Sequence, residues 1–252
     1  MSDPWPEGVG RHVLARTDST NSEAIRLASS LSGPAWFMTH QQVAGRGRRG
    51  REWVMPAGNF AGTLFLRPKG GPAAAAQISF VAALALFDAL KDACGPSARL
   101  AIKWPNDVLL NGGKVAGILL ESAGAGQDLT GLAVGIGVNL AAAPDPASVE
   151  KRAIAPVSVL AETGLTVSPE EFLDLLAPAF ARWLGQFETY GFAPIRSAWL
   201  ARAARIGETI LARTGQEETK GVFEGIDDTG ALVLSTSAGR RCLPAADVFF
   251  GG

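Results

Sequence analysis

Apolar and polar positions divide the chain into a long stretch of changing period and a short stretch of strict alternation. HVLAR (12–16) reads as a strand, and DSTNSEAIRLASSL (18–31) as a helix. Ser19 or Thr20 caps that helix, and Glu23 is placed to close a capping box. AWFMTHQQ (35–42) and NFAGTLFLRP (59–68) are strands, the second ending at Pro68. AAAAQISFVAALALFDALKDAC (73–94) holds strong helix formers without internal glycine or proline and predicts a buried helix. RLAIKW (99–104) is a strand. DVLLNGGKVAGILLESA (107–123) predicts a hairpin turning at NGG, where positive φ is needed, and LTGLAVGIGVNL (129–140) a glycine-rich apolar strand. SPEEFLDLLAPAFARWLGQFETYG (168–191) opens with serine, proline and two glutamates, a helix start, and a shorter helix follows in IRSAWLARAAR (195–205). From residue 208 onward short apolar strands alternate with Gly, Asp-Asp and Ser turns, the pattern of a small all-β barrel. Hairpins are frequent and helices do not alternate strictly with strands, so the fold class is α+β: a mixed sheet with helices over residues 1–204, then a compact β domain over 205–252.

Composition narrows the chemistry. The 252 residues are 47% hydrophobic and 19% charged, enough for a sizeable core and unlike a disordered chain. A net charge of -1 gives no global attraction to nucleic acid. Cys94 and Cys242 have no metal-binding spacing, and with only His12 and His40 a histidine metal site or Ser-His-Asp relay is poorly supplied. Chemistry therefore falls to Lys, Arg, Asp, Asn and backbone groups. The N-terminus has no signal-peptide pattern, and the most apolar stretch, 73–87, is shorter than the about 20 residues a bilayer requires. A soluble, cytoplasmic protein with no membrane partner is the expectation.

Four segments place polar residues where apolar or turn residues would serve: DSTN (18–21), QQVAGRGRRGREW (41–53), KWPNDVLLNGGKVAG (103–117) and GIGVNL (135–140). The Gly/Arg segment has three readings: a solvated loop, a nucleic-acid patch, or a mobile loop aiming arginines at a small anion. Gly45 and Gly50 have the spacing of a phosphate-binding loop, but Arg51-Glu52 follows where Lys-Ser/Thr is required. Lys103 and Lys114 flank apolar strands, where burial demands an anionic partner. Asn139 is a lone amide in an apolar run and needs a partner from protein or ligand.

These four segments, in this order, resemble biotin protein ligases; the similarity runs from about Arg16 through Leu140, with GRGRRGREW and KWPNDVLLNGGKVAGILLE its most specific parts. The resemblance implies a class II aminoacyl-tRNA synthetase/biotin ligase-like catalytic domain and a C-terminal SH3-like β-barrel. It implies that ATP and biotin are the substrates, that Mg2+ accompanies ATP, and that biotinyl-5′-AMP forms. A lysine of a biotin carboxyl carrier protein, such as the acetyl-CoA carboxylase carrier subunit, then takes the biotin. By motif match Lys114 and Arg48 are the catalytic cations. Ser19, Thr20, Asn21 and Gln42 bind biotin, the hydroxyls and Gln42 at its ureido end, with backbone around Gly117. Arg46, Gly47 and Arg48 fold over it. Trp53 packs on the adenine, Asn106, Asp107 and Asn139 contact the adenylate, and Asp107 holds magnesium. Arg49 and Arg51 are expected to be solvated charges.

Many relatives begin with a winged-helix DNA-binding domain; here the first strand comes so early that a monofunctional ligase, without nucleic acid as partner, is expected. Ala61 stands where an aromatic is common, and APVSVL (155–160) matches the family only loosely. A lipoate or octanoate ligase, a nucleic-acid module built on the arginine loop, and a non-catalytic biotin sensor are the rival readings. Edge strands of a mixed sheet are compatible with a homodimer.

Overall fold

Seven strands form one sheet whose two faces carry different residues. The computed structural model describes residues 4–124, 129–145, 150, 152–215 and 217–250. The strands are β1 (Gly10–Leu14), β2 (Ala35–Thr39), β3 (Phe60–Leu66), β4 (Leu100–Lys103), β5 (Asp107–Leu110), β6 (Gly113–Ala123) and β7 (Gly131–Val138). Their order is β1-β2-β3-β7-β6-β5-β4. β1 pairs with β2 in parallel and every other neighbouring pair is antiparallel, so the sheet is mixed. Asn111 (φ 51) and Gly112 (φ 91) make the β5–β6 turn that the NGG run predicts.

On one face Trp36, Met38, Phe60, Leu64, Ile118, Ile136 and Val138 pack under α2 (Gly71–Cys94) and α4 (Pro169–Tyr190). α4 starts where the serine, proline and two glutamates predict, and Ser168 and Glu171 there form a capping box. α2 spans 24 residues, long and apolar enough to cross a bilayer, where the shorter run 73–87 is not. Its residues from Phe80 to Leu86 are instead buried against the sheet, which accounts for their apolarity.

The opposite face splits. Under α1 (Thr20–Arg26) lies a small cluster of Ala24, Ala35, Phe37, Phe65 and Ala123. Beyond it the strands present small or polar residues in register: Ala61 beside Gly137 beside Gly117, and Thr63 beside Gly135 beside Leu119. Ser19 is the N-cap of α1 as expected, but no side-chain cap hydrogen bond forms. Glu23 is paired with Arg26 instead, so the capping box is absent there. β1 also lies two residues earlier than its apolar pattern predicts.

The last strands, β8 (Thr209–Thr214), β9 (Glu217–Ile226), β10 (Leu232–Thr236), β11 (Gly239–Leu243) and β12 (Asp247–Phe250), form an antiparallel sheet ordered β11-β10-β9-β8-β12. This sheet shares the main core: Ile210, Ala212, Phe223 and Leu232 belong to the same buried cluster as α2 and the short helix α5 (Phe192–Leu200), which follows α3 (Val159–Thr163) and α4. Trp104 Nε1 donates to Gly230 O at 3.0 Å, and Phe80 stacks edge-on against Trp199 at 5.6 Å.

Gly230 is the tight point of that seam. Its φ is +92, and a Cβ there would stand 2.6 Å from the Phe80 ring. Gly230→Ala should lose about 1–3 kcal/mol in denaturant unfolding. Gly239→Ala, also at positive φ but facing open space, should lose less.

Candidate active site

The small-residue face opens into a cleft of about 530 Å3. Its floor exists because glycine occupies adjacent strands: a Cβ at Gly137 would stand 2.4 Å from the Trp53 indole, and one at Gly117 would stand 3.2 Å from it. The Trp53 ring therefore lies directly over the sheet, with Lys114 Nζ 5.6 Å from its centre. Ala61 forms part of this floor, and a larger side chain would compete with the same space.

One end of the cleft is uncharged and polar. A parallel bridge between Thr17 and Gln42 extends the β1–β2 pairing and brings Gln42 against the start of α1. Gln42 Oε1 accepts from Thr20 N at 2.9 Å and lies 3.3 Å from Thr20 Oγ1. Because a backbone N–H occupies the oxygen, Nε2 is left to donate. Asn21 is buried, and its Nδ2 donates to Leu119 O at 3.3 Å and Glu121 Oε2 at 2.7 Å. Ser19 completes this wall.

The other end is cationic. Asp107 at the start of β5 sits between two lysines, with Lys114 Nζ 2.7 Å from Oδ1 and Lys103 Nζ 3.5 Å from Oδ2. Burial pushes the Asp107 carboxyl up, but the ammonium groups of Lys114 and Lys103 outweigh it and hold it below the usual carboxylate range. Burial lowers the Lys103 pKa, with Asp107 opposing the shift. These pairs meet the requirement that the two lysines flanking apolar strands should have an anion. Lys114 carries a net surplus of charge toward the cleft, since one carboxylate is shared by two ammoniums.

In this arrangement Asp107 is engaged by lysines, and a magnesium ion would have to displace one of them to reach its carboxylate. Both its oxygens face ammonium groups, which would repel a dication, and no cluster of three metal-ligating side chains occurs among the described residues.

The Gly/Arg loop arches over the cleft, and carboxylates sort its arginines. Arg46 pairs with Glu121 at 3.0 Å and donates to Ser22 Oγ, so its charge is taken up by protein. Arg49 and Arg51 are not merely solvated: both bind Asp247 Oδ2 from β12, at 3.0 and 2.6 Å. Arg213 joins at 3.5 Å and Glu150 bridges Arg51 and Arg213. The Asp247 side chain is only 8% exposed. Burial raises its pKa, yet its bond to Arg51 and the neighbouring guanidiniums hold it below the usual range. Among the described residues Arg48 hydrogen-bonds to neutral oxygens, Ala246 O at 3.4 Å and Asn106 Oδ1 at 3.5 Å. Burial works against its charge, so an incoming anion is its natural partner.

Asn106 Nδ2 donates to Ile118 O at 2.7 Å, and Asn139 Nδ2 to Val157 O at 3.0 Å. The lone amide thus finds a protein partner, and together with Lys114 it fixes the 155–160 segment beside β6. Ser19, Thr20, Asn21, Gln42, Arg46, Gly47, Arg48, Trp53, Asn106, Asp107, Lys114, Gly117 and Asn139 all line this cleft. The sequence reading missed Thr63 and Glu121 on the sheet, Asp247 on β12, and Glu150. A threonine or acid within a strand is a weak sign of such a role, and nothing local to DVFF indicates a partner almost two hundred residues earlier.

A glycine-floored cleft with a donor wall, a cationic end and an arginine loop defines a ligase-type site for a small anionic substrate. Residues 13–139 match the model of the biotin/lipoate A/B protein ligase family, and residues 206–251 that of the biotin protein ligase C-terminal domain. Over 240 residues the chain is 73% identical to the biotin–[acetyl-CoA-carboxylase] ligase of Paracoccus denitrificans, covering 95% of this chain and 100% of that protein. It is 35% identical over 230 residues to the bifunctional ligase/repressor BirA of Escherichia coli (strain K12), covering 90% of this chain and 70% of that protein. The fold is that of the biotin protein ligase of Aquifex aeolicus in complex with biotin and ATP, with a TM-score of 0.79 at 24% identity over 95% of this chain and 97% of that one. The chain belongs to the biotin protein ligase family.

Because the Asp247 carboxyl is held below its unfolded value, the unfolded state binds the extra proton and stability rises with pH through that range. The contribution is complete above the ordinary aspartate value of about 3.9 and is lost as pH falls below it. Asp247→Asn should therefore cost about 1–3 kcal/mol in urea unfolding at pH 7, and the gap from the parent should narrow below about pH 4.

Proposed function

We propose that the chain activates biotin with ATP and transfers it to a lysine of a biotin carboxyl carrier protein, such as the carrier subunit of acetyl-CoA carboxylase. The observation that carries this reading is the pairing of two ends in one cleft: the Gln42–Thr20 wall and the Lys114–Arg48 cations, with glycine floor between them. The biotin carboxylate attacks the α-phosphorus of ATP, the bond to pyrophosphate breaks, and biotinyl-5′-AMP forms. Two anions must approach for this, and Lys114 and Arg48 offset their repulsion as charge builds on the phosphoryl oxygens. Lys103 and Asp107 position Lys114 from below. The carrier lysine amine then attacks the acyl carbon, and AMP leaves. No nucleophile of the enzyme is needed, in keeping with the scarcity of useful Cys and His. Magnesium accompanies ATP in this reading.

A mixed anhydride hydrolyses in water, which gives the arginine loop its purpose as a cover. Glycine supplies its freedom: Gly50 has φ +72, and Gly45 leaves room for the Gln42 amide, which a Cβ would meet at 2.6 Å. Residues 1–204 are the catalytic unit, while 205–252 contribute Asp247 and the Ala246 carbonyl to the loop's seat.

Donors in the cleft wall favour biotin over lipoate, whose dithiolane ring would leave Gln42 Nε2 unpaired. Acid-dependent ATP–pyrophosphate exchange tests the reading. Biotin should be preferred by roughly 10⁴ in kcat/KM, and exchange with lipoate alone would overturn the choice. Lys114→Ala and Arg48→Ala should each lower kcat on the order of 10²–10³; turnover equal to the parent would refute their roles.

A further inference from the structure

Beneath the polar wall runs a chain of buried hydrogen bonds that reaches the Gly/Arg loop. Thr63, fully buried on β3, has its Oγ1 2.8 Å from Thr20 Oγ1 and 2.6 Å from Asn21 Oδ1. Asn21 Nδ2 lies 2.7 Å from Glu121 Oε2, and Glu121 in turn holds Arg46 at 3.0 Å. Gly135, the cross-strand neighbour of Thr63, leaves the room that Asn21 occupies; a Cβ there would stand 2.4 Å from Asn21 Oδ1.

Donor and acceptor assignments along this chain are forced. A carboxylate only accepts, and Arg46 only donates to it. Asn21 must therefore turn its Nδ2 to Glu121 and its Oδ1 to Thr63. An amide oxygen cannot donate, so the single Thr63 hydroxyl proton goes to Asn21. The Thr63 oxygen then accepts from Thr20, being the nearer of that hydroxyl's two acceptors, 2.8 Å against 3.3 Å to Gln42 Oε1. Gln42 Oε1 already accepts from Thr20 N, which turns Nε2 toward the cleft. What remains for a ligand is an acceptor, the Thr20 oxygen lone pair, beside a donor, Gln42 Nε2.

We propose that Thr63 and Glu121 are positioning residues that set this polarity, matching the adjacent N–H and C=O of a cyclic urea head group. The proposal rests on the reading that biotin is the acid substrate. Neither residue touches the reacting atoms. Glu121, together with the Leu119 carbonyl that also accepts from Asn21 Nδ2, fixes the direction of the protons in the chain, and Thr63 transmits it between α1 and the sheet. Arg46 keeps Glu121 in place, tying the loop's first arginine to the head-group end of the cleft.

Isothermal titration of the full chain with biotin, without ATP, tests the relay. Thr63→Val should weaken biotin about tenfold, the loss expected for one hydrogen bond, and Thr63→Ser should restore affinity to within about threefold of the parent. Glu121→Gln should also weaken biotin about tenfold, because the charged acceptor that holds both Asn21 and Arg46 is lost. The double variant Thr63→Val/Glu121→Gln should be no weaker than either single one, since both break the same chain. In steady-state exchange the loss should appear in KM for biotin rather than in KM for ATP. Parent-like affinity in both single variants, independent additive losses, or failure of Thr63→Ser to restore binding would each overturn the relay. Should Thr63→Val not fold, the half-buried Glu121→Gln carries the test by the same affinity and KM readouts. If the parent chain itself does not bind biotin, the functional reading fails; if the parent binds and the variants behave otherwise than stated, only the relay fails.

Discussion

A sheet that must be buried on one side and bare on the other is the constraint from which the site follows. Large side chains on β2, β3, β6 and β7 alternate with small ones, so α2 and α4 seal one face while the other keeps open floor. Gly117 and Gly137 are paired across β6 and β7, which places two missing side chains side by side. That register leaves open the space over β6 and β7 that the Trp53 indole occupies. Shifting either strand by one residue would put Ile118 or Ile136 there instead and fill the cleft.

Charge is then distributed over this frame by proximity. The cleft concentrates lysines and arginines in partly dehydrated surroundings, where each excess cation is costly unless met by an anion. Asp107 shares itself between Lys103 and Lys114, Glu121 takes Arg46, and Asp247 takes Arg49 and Arg51. Arg48 is left with carbonyl oxygens, half-buried and under electrostatic strain. A site of this kind is preorganised for an anionic centre because the protein has neutralised the other cations and withheld a counterion from that one.

Much of this was legible in the chain. Periodicity marks each main helix and strand, because burial of one face imposes a period wherever an element packs on a core. The NGG turn and the helix start at Ser168 are written in adjacent residues and appear as read. The residues singled out from DSTN, the Gly/Arg loop, KWPND and GIGVN all line one cleft. At Ser19 the same local rules fail: the cap position is right, but Glu23 binds Arg26 and Asp18 binds the Ser19 amide. Competition among nearby charges decided that end, and a motif does not record its competitors. Arg49 and Arg51 differ in kind, since their partner stands almost two hundred residues away and no local pattern could name it.

By itself, then, the sequence determined which elements form, which residues bear chemistry and to which family the chain belongs, because those properties depend on composition and short spacing. Tertiary structure alone decided how the carboxylates are shared, that Asp107 stands between two lysines, and that Thr63, Asn21 and Glu121 form one buried chain. Each of those depends on strand register and on packing between distant segments. The energy of a buried charge or hydrogen bond is set by what stands within a few ångströms of it, however far away along the chain that neighbour lies.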